Sequence, residues 1–316
     1  MPVTITAGIT FSGGGLTMEF APPSEATAGW WAGGGTGTVS SYVQRVTFAT
    51  DTATASIRGP LTVSRLSAGA VSTFTYGWVA SGYYPSTSTV ERITFASDTG
   101  TTSTRGPVVA RNALSGAGND TYGWFGGWDN PSPGQSTVDR IDYANDTATA
   151  SIRGPLSGAR RYMGSTGTSS YGWWAGGQDS PGTTVYASMD RIDYANDTAV
   201  ASVRGSLSVA RRNLTASTDG TIYGWFAGGV GGTVRSIIDR MTYANDTATT
   251  TARGPLVVAT YNLSGTGSNT YGYYGGGPGP LSNVQRITYA TDTDVASTRG
   301  YLAAAAYNQA ASAGIQ

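Results

Sequence analysis

The 316-residue chain has no histidine, no cysteine and no lysine, and all 19 of its basic residues are arginine. Without histidine, no side chain titrates near neutrality at its ordinary pKa; without lysine, there is no amine for Schiff-base chemistry. The lack of cysteine removes thiolate nucleophiles, disulfides and zinc–sulfur sites, so packing must hold the fold and the redox compartment cannot be read. Nineteen acids balance the nineteen arginines, which argues against nucleic acid or an anionic membrane surface as partner. No stretch reaches the roughly 18 apolar residues of a membrane helix, and residues 1–15 lack the basic start and apolar run of a signal peptide. Neither membrane insertion nor export by that route is expected.

Helical signals are scarce as well: leucine and glutamate are few and no 3.6-residue apolar pattern persists. Short alternating runs between Gly, Asn and Asp turns recur instead, and an aromatic content of 11% speaks against disorder. The class is all-β.

Repetition organises the chain. Asp139–Leu156 and Asp190–Leu207 are nearly identical, and weaker copies begin at Gln44, Glu91, Asp239 and Gln285. The marker arginines Arg45, Arg92, Arg140, Arg191, Arg240 and Arg286 stand 47, 48, 51, 49 and 46 residues apart. Thirteen residues after each comes a second arginine: Arg58, Arg105, Arg153, Arg204, Arg253 and Arg299. This constant interval predicts two paired strands joined by a tight turn, with Asp51, Asp98, Asp146, Asp197, Asp246 and Asp292 in the turn. Upstream lies a Tyr-Gly-Trp strand at Tyr76–Trp78, Tyr122–Trp124, Tyr171–Trp173 and Tyr223–Trp225, with Ala28–Trp30 and Tyr271–Tyr273 as variants. A further strand through segments such as Asn213–Ser217 completes a set of four, which makes one propeller blade.

Residues 29–316 span six times 48 positions, dividing into repeats near 29–75, 76–121, 122–170, 171–222, 223–270 and 271–316. The last repeat stops where a Tyr-Gly-Trp strand should begin, and that strand stands at Gly29-Trp30. The expectation is therefore an all-β, six-bladed β-propeller closed by its C-terminal strand, which removes the open edges of a linear array. Residues 1–28 have no ring position to fill. Val3–Thr6, Ile9–Phe11 and Leu16–Phe20 alternate around Gly13–Gly15, predicting a short N-terminal β arm before Pro22-Pro23.

The repeat resembles the kelch repeat. Paired glycines end a strand at Gly33-Gly34, Gly176-Gly177, Gly228-Gly229 and Gly276-Gly277; they shift to Gly126-Gly127 in the third copy and become Ser81-Gly82 in the second. An aromatic precedes the acidic turn at Phe48, Phe95, Tyr143, Tyr194, Tyr243 and Tyr289. Kelch repeats carry Trp in the following strand, where this chain has Ala55, Thr102, Ala150, Ala201, Thr250 and Ala296, so kelch-like is the apt term. The wording of the repeats, as in Asp139–Ser151, is also similar to repeats in virion structural proteins of tailed bacteriophages. That resemblance implies a protein of the phage particle, assembled in the host cytoplasm, in a tail, fibre or capsid decoration, with residues 1–28 joining it to other virion proteins.

Two surfaces invite a functional reading. The loop between the paired glycines and the marker arginine varies most: the Trp position precedes the marker by 15, 14, 16, 18, 15 and 13 residues. It carries Tyr83, Tyr84, Trp128, Asp129, Asn130, Gln178, Asp179, Tyr186 and Arg235, whose aromatic and amide groups suit a host-surface glycan, a receptor or a neighbouring subunit. Ordinary loop drift explains the same variation. The twelve repeated arginines could ring a central channel, but each copy also supplies a fixed Asp, and Glu91, Asp139, Asp190 and Asp239 stand directly before a marker arginine; ion pairing within or between blades is the favoured reading. Catalysis would rest on carboxylates alone. The unrepeated acids, Glu19, Glu25, Asp120, Asp129, Asp179, Asp219 and Asp294, form no evident constellation, so no catalytic residue, metal site or cofactor is expected. A copper oxidase propeller is excluded in its usual form by the missing His and Cys. A lectin-like propeller is the alternative function, and a glycosidase using Asp129 and Asp179 a more distant one.

Overall fold

The computed structural model describes residues 9–12, 15–18, 26–35, 37–128, 135–278 and 281–313. Six four-stranded antiparallel sheets form the blades of a propeller. From inner to outer strand, blade two is Gly69–Ser72, Tyr76–Ala80, Val90–Thr94 and Ser103–Arg105. Blades three to six repeat the pattern from inner strands Ser115–Gly118, Gly164–Gly167, Thr215–Thr218 and Ser264–Gly267. Each blade thus joins the last strand of one sequence repeat to the first three of the next.

Blade one closes the circle. Its inner strand is Ala310–Ala313, paired with Ala28–Ala32 so that Ala311 faces Trp31, and Val43–Thr47 and Ser56–Arg58 complete the sheet. The six inner strands neighbour one another cyclically, Ala310–Ala313 lying between those of blades six and two. Within the expected arm, Ile9–Ser12 pairs with Gly15–Met18 in an antiparallel hairpin.

Side-chain size follows from position in the blade. Inner strands crowd the axis and are built of Gly, Ala, Ser and Thr with one Val; a β-carbon on Gly116 would collide with the Ala70 carbonyl of the preceding blade. Second strands lie between blades and are buried on both faces from their second residue on in blades two to six, which accounts for near-continuous runs such as Tyr-Gly-Trp-Phe-Gly. Each third strand runs into a 3₁₀ turn, as at Tyr143–Asn145, that presents the repeated Asp at its end.

The volume between blades is filled by aromatic stacking across each boundary. Trp30 stacks on Phe95 at 3.9 Å, Trp78 on Tyr143 at 4.1 Å, Trp124 on Tyr194 at 3.8 Å, Trp173 on Tyr243 at 4.6 Å and Trp225 on Tyr289 at 3.9 Å. Tyr273 stacks on Phe48 at 4.4 Å across the seam between blades six and one. Such pairs contribute about 0.5–1.5 kcal/mol each beyond the area they bury.

Candidate binding face

The repeated charges join neighbouring blades. Asp246, in the turn of blade five, accepts from Trp173 Nε1 at 2.9 Å, Arg191 Nη1 at 3.0 Å and Arg204 Nη2 at 2.6 Å, all from blade four. Equivalent clasps tie Asp98 to Trp30, Arg45 and Arg58, and Asp146 to Trp78, Arg92 and Arg105. They tie Asp197 to Trp124, Arg140 and Arg153, and Asp292 to Trp225, Arg240 and Arg253. Asp51 takes Tyr273, Arg286 and Arg299 at the seam. Burial pushes the Asp246 and Asp51 carboxyls up, but their bonds to Arg204 and Trp173, and to Arg299 and Tyr273, together with the nearby guanidinium charges, outweigh it and hold both below the ordinary value of 3.8.

The backbone reinforces each clasp. Gly154 N–H donates to the Asp197 carbonyl at 2.8 Å, and a β-carbon there would collide with the Ala199 carbonyl; Gly59, Gly106, Gly205, Gly254 and Gly300 are placed alike. The glycine after the second arginine of every repeat is thus required by close approach to the next blade's turn.

A second set of ion pairs uses arginines that repeat reasoning overlooked. Arg65 pairs with Glu91, Arg111 with Asp139 at 3.0 Å, Arg160 with Asp190 at 2.6 Å and Arg211 with Asp239 at 2.8 Å, with every partner nearly or fully buried. Four consecutive interfaces therefore carry the pair. At the other two, both positions change together: Thr260 and Gln285 take the places of the arginine and the acid, and Gln285 accepts from Val258 N at 3.0 Å, while Ala306 and Gln44 take them at the seam, where Gln44 bonds the Ala304 backbone at 2.7 and 3.0 Å. Burial pushes Arg111 down and Asp139 up, each opposed by the charge of the other. The sequence signal was present as Leu or Val followed by Arg before the inner strand, as in Leu61–Arg65 and Leu207–Arg211.

The variable loops and the connections between blades lie on one face, where they pair: Leu66 bridges Tyr83, Arg161 bridges Gln178 and Arg212 bridges Val230. Tyr84 is 59% exposed and meets Tyr83 edge-on at 4.1 Å. Trp128 and Gln178 are buried, at 8% and 5% exposure. Trp128 lies 5.5 Å from the Arg111 guanidinium, and Gln178 accepts from Arg212, so both side chains pack the loops. Asp179 accepts from Gly182 N, Thr184 N and Thr183 Oγ1 at 2.8–3.1 Å; these bonds, led by that from the Thr184 backbone, hold its carboxyl below the ordinary range. Tyr186 lies 5.4 Å from the Arg160 guanidinium, and Arg235 Nη2 donates to the Gly231 carbonyl at 3.3 Å. Asp129 and Asn130 lie outside the described residues.

The axis on this face is ringed by left-handed residues Ser67, Ala113, Tyr162, Asn213, Asn262 and Asn308, with φ between 53° and 61°. Their backbones join head to tail: Ser67 N donates to Asn308 O, Asn308 N to Asn262 O, and Asn262 N to Asn213 O at 2.8–3.0 Å. Asn tolerates this conformation through local polar contacts, which accounts for three of the six. The axis holds a cavity of about 130 Å³ at the level of this ring, lined by the ring residues with Leu114, Met163, Leu214 and Leu263 among others, and one of about 230 Å³ toward the opposite face, lined mostly by Gly, Ala, Ser and Thr.

Among the described residues no group of three or more acids could hold a metal ion, and no helix is long and apolar enough to cross a membrane. A six-bladed propeller with these loops is a scaffold for binding a protein or a ligand. No protein-family model matches the chain, and no curated protein matches it.

Proposed function

We propose that the chain is a non-enzymatic structural protein of a bacteriophage particle, whose propeller presents one loop face to a host surface or to a neighbouring subunit. Residues 1–28 dock it to other virion proteins in a tail, fibre or capsid decoration. The observation that carries the reading is a division of labour. The twelve arginines and six aspartates at repeated clasp positions are occupied in joining blades, while the loops of one face differ in length and side chain from blade to blade. The resemblance of the repeat to phage virion proteins supplies the setting, and the hairpin of Ile9–Ser12 with Gly15–Met18 suits attachment by strand addition. Deleting residues 2–28 tests the docking role: particles should assemble without the protein, and normal incorporation would count decisively against it.

The lectin-like alternative draws support from exposed Tyr84 and the half-buried tyrosines on the loop face. A glycan array with the intact protein tests it, and silence across a broad panel is the adverse outcome. The glycosidase reading loses ground, because a carboxyl held ionised by three bonds from its own loop, as Asp179 is, makes a poor proton donor.

A further inference from the structure

In five blades the marker arginine is covered by a tyrosine ring of its own sheet. Arg92 lies over Tyr76 at 4.3 Å, Arg140 over Tyr122 at 4.1 Å, Arg191 over Tyr171 at 4.5 Å, Arg240 over Tyr223 at 4.3 Å and Arg286 over Tyr271 at 4.2 Å. Each tyrosine begins the second strand, two residues before the one paired with the arginine, so both side chains leave the same face of the sheet. Blade one keeps this register, with Ala28 opposite Thr47 and Trp30 opposite Arg45. A methyl group therefore stands where the other blades have a ring, and among the described residues no aromatic lies over the Arg45 guanidinium.

The rest of this corner is built as elsewhere. Asp98 Oδ2 accepts from Arg45 Nη1 at 3.2 Å and Trp30 Nε1 at 2.9 Å, and Arg58 Nε stands 3.4 Å away. One carboxylate shared by two guanidiniums holds Arg45 in place and leaves positive charge over. Ala28 is itself buried, at 5% exposure, so the uncovered surface belongs to the arginine. The Arg45 side chain is 28% exposed, against 18–23% for the five covered ones. The exception also falls where the arm meets the ring, since Ala28 is the first residue of the first ring strand. A protein bound to the root of the arm is brought beside Arg45.

We infer that the Arg45 guanidinium is the seat for an aromatic side chain of the protein on which residues 1–28 dock. This deepens the docking reading and rests on it. A guanidinium attracts the electron-rich face of a ring, more strongly once both are shielded from water, and arginine and aromatic residues recur at the centres of protein interfaces. The fold itself shows the fitting occupant, because at five of six positions it covers this guanidinium with a tyrosine while the clasp stays intact. A partner carboxylate would instead be set against Asp98, which both guanidiniums already face.

The test is competitive incorporation: parent and variant are co-expressed during particle assembly, their ratio in purified particles is read by mass spectrometry, and the thermal midpoint of each isolated protein is measured alongside. Ala28→Tyr fills the seat with the ring the other blades use; it should keep its midpoint, and its share in particles should drop about three- to thirtyfold. Arg45→Lys keeps the charge and loses the planar face, so its share should drop as well. Arg92→Lys, which weakens the equivalent clasp beneath Tyr76, should be incorporated as the parent is. Parental incorporation of Ala28→Tyr, or equal incorporation of the two lysine variants, would overturn the seat. A fall in the midpoint of isolated Phe20→Ala that Ala28→Tyr restores would assign the ring to the arm itself and overturn the partner. If deleting residues 2–28 leaves incorporation normal, the docking reading falls as a whole; if the deletion abolishes incorporation and Ala28→Tyr does not reduce it, only the seat falls.

Discussion

Tyr273 donates its hydroxyl hydrogen to Asp51 at 3.0 Å, joining the last blade to the first where five other boundaries use an indole N–H. The same ring stacks on Phe48, so Tyr273→Phe removes the bond and keeps the stack. A loss of about 1–3 kcal/mol in urea denaturation is expected, because the Asp51 carboxylate is left one donor short in a buried site. Tyr273→Trp should cost less, since an indole fills this role elsewhere in the ring.

The buried pairs allow a test that the chain itself suggests. Arg211→Thr should destabilise by about 3–5 kcal/mol, since it strands the Asp239 carboxylate away from water. Adding Asp239→Gln should recover most of that loss, because Thr260 with Gln285 is the native solution one interface further on. A denaturant double-mutant cycle measures the recovery, and additive losses would show that the neutral pair depends on blade six in some other way.

Glycine substitutions should split by position. Gly154→Ala drives a β-carbon into the Ala199 carbonyl and should cost several kcal/mol, as a backbone contact cannot move aside. A methyl group on Gly158 would meet nothing within 4 Å, so Gly158→Ala should be neutral or stabilise by up to about 1 kcal/mol. Thermal unfolding of the two variants side by side checks both.

Acid should loosen the clasps. Asp246 and Asp51 are held below 3.8 in the folded protein, so the unfolded chain binds their protons more readily. Their contribution is fully present above that value and is lost as pH falls through the lower folded values. Urea midpoints measured downward from about pH 5 should fall more steeply for the parent than for Asp246→Asn, which is weaker at neutrality and loses less on acidification.

Much of this architecture was legible because the repeat is strict. The interval from Arg140 to Arg153 never changes, so the strand pair could be placed in all six copies, and the tail after Leu302 could be matched to the inner strands. The clasp partners were less legible, because an acid six residues after the marker reads as local. Asp146 in fact accepts from Arg92 of the preceding blade, and only the arrangement of blades reveals that. Arg65 and Glu91 lie in different sequence repeats and meet because the strand after Arg65 joins the blade that holds Glu91. On the loop face, the sequence could point to Trp128 and Gln178 but could not show them buried, since the strand ends and neighbouring loops that cover them are distant in the chain.

Closure of the ring also dictates an order of events. During synthesis Trp31 emerges about 280 residues ahead of its partner Ala311, so Ala28–Ala32 waits without an inner neighbour while the intervening blades can pair locally. Once joined, neither end can peel away alone: withdrawing Ala310–Ala313 exposes the edge of blade one, and separating blade one from blade six must break the bonds of Asp51 to Tyr273, Arg286 and Arg299. Opening the seam must break these bonds together, which favours a kinetic persistence that the proposed place in a particle would call for once the producing cell is gone.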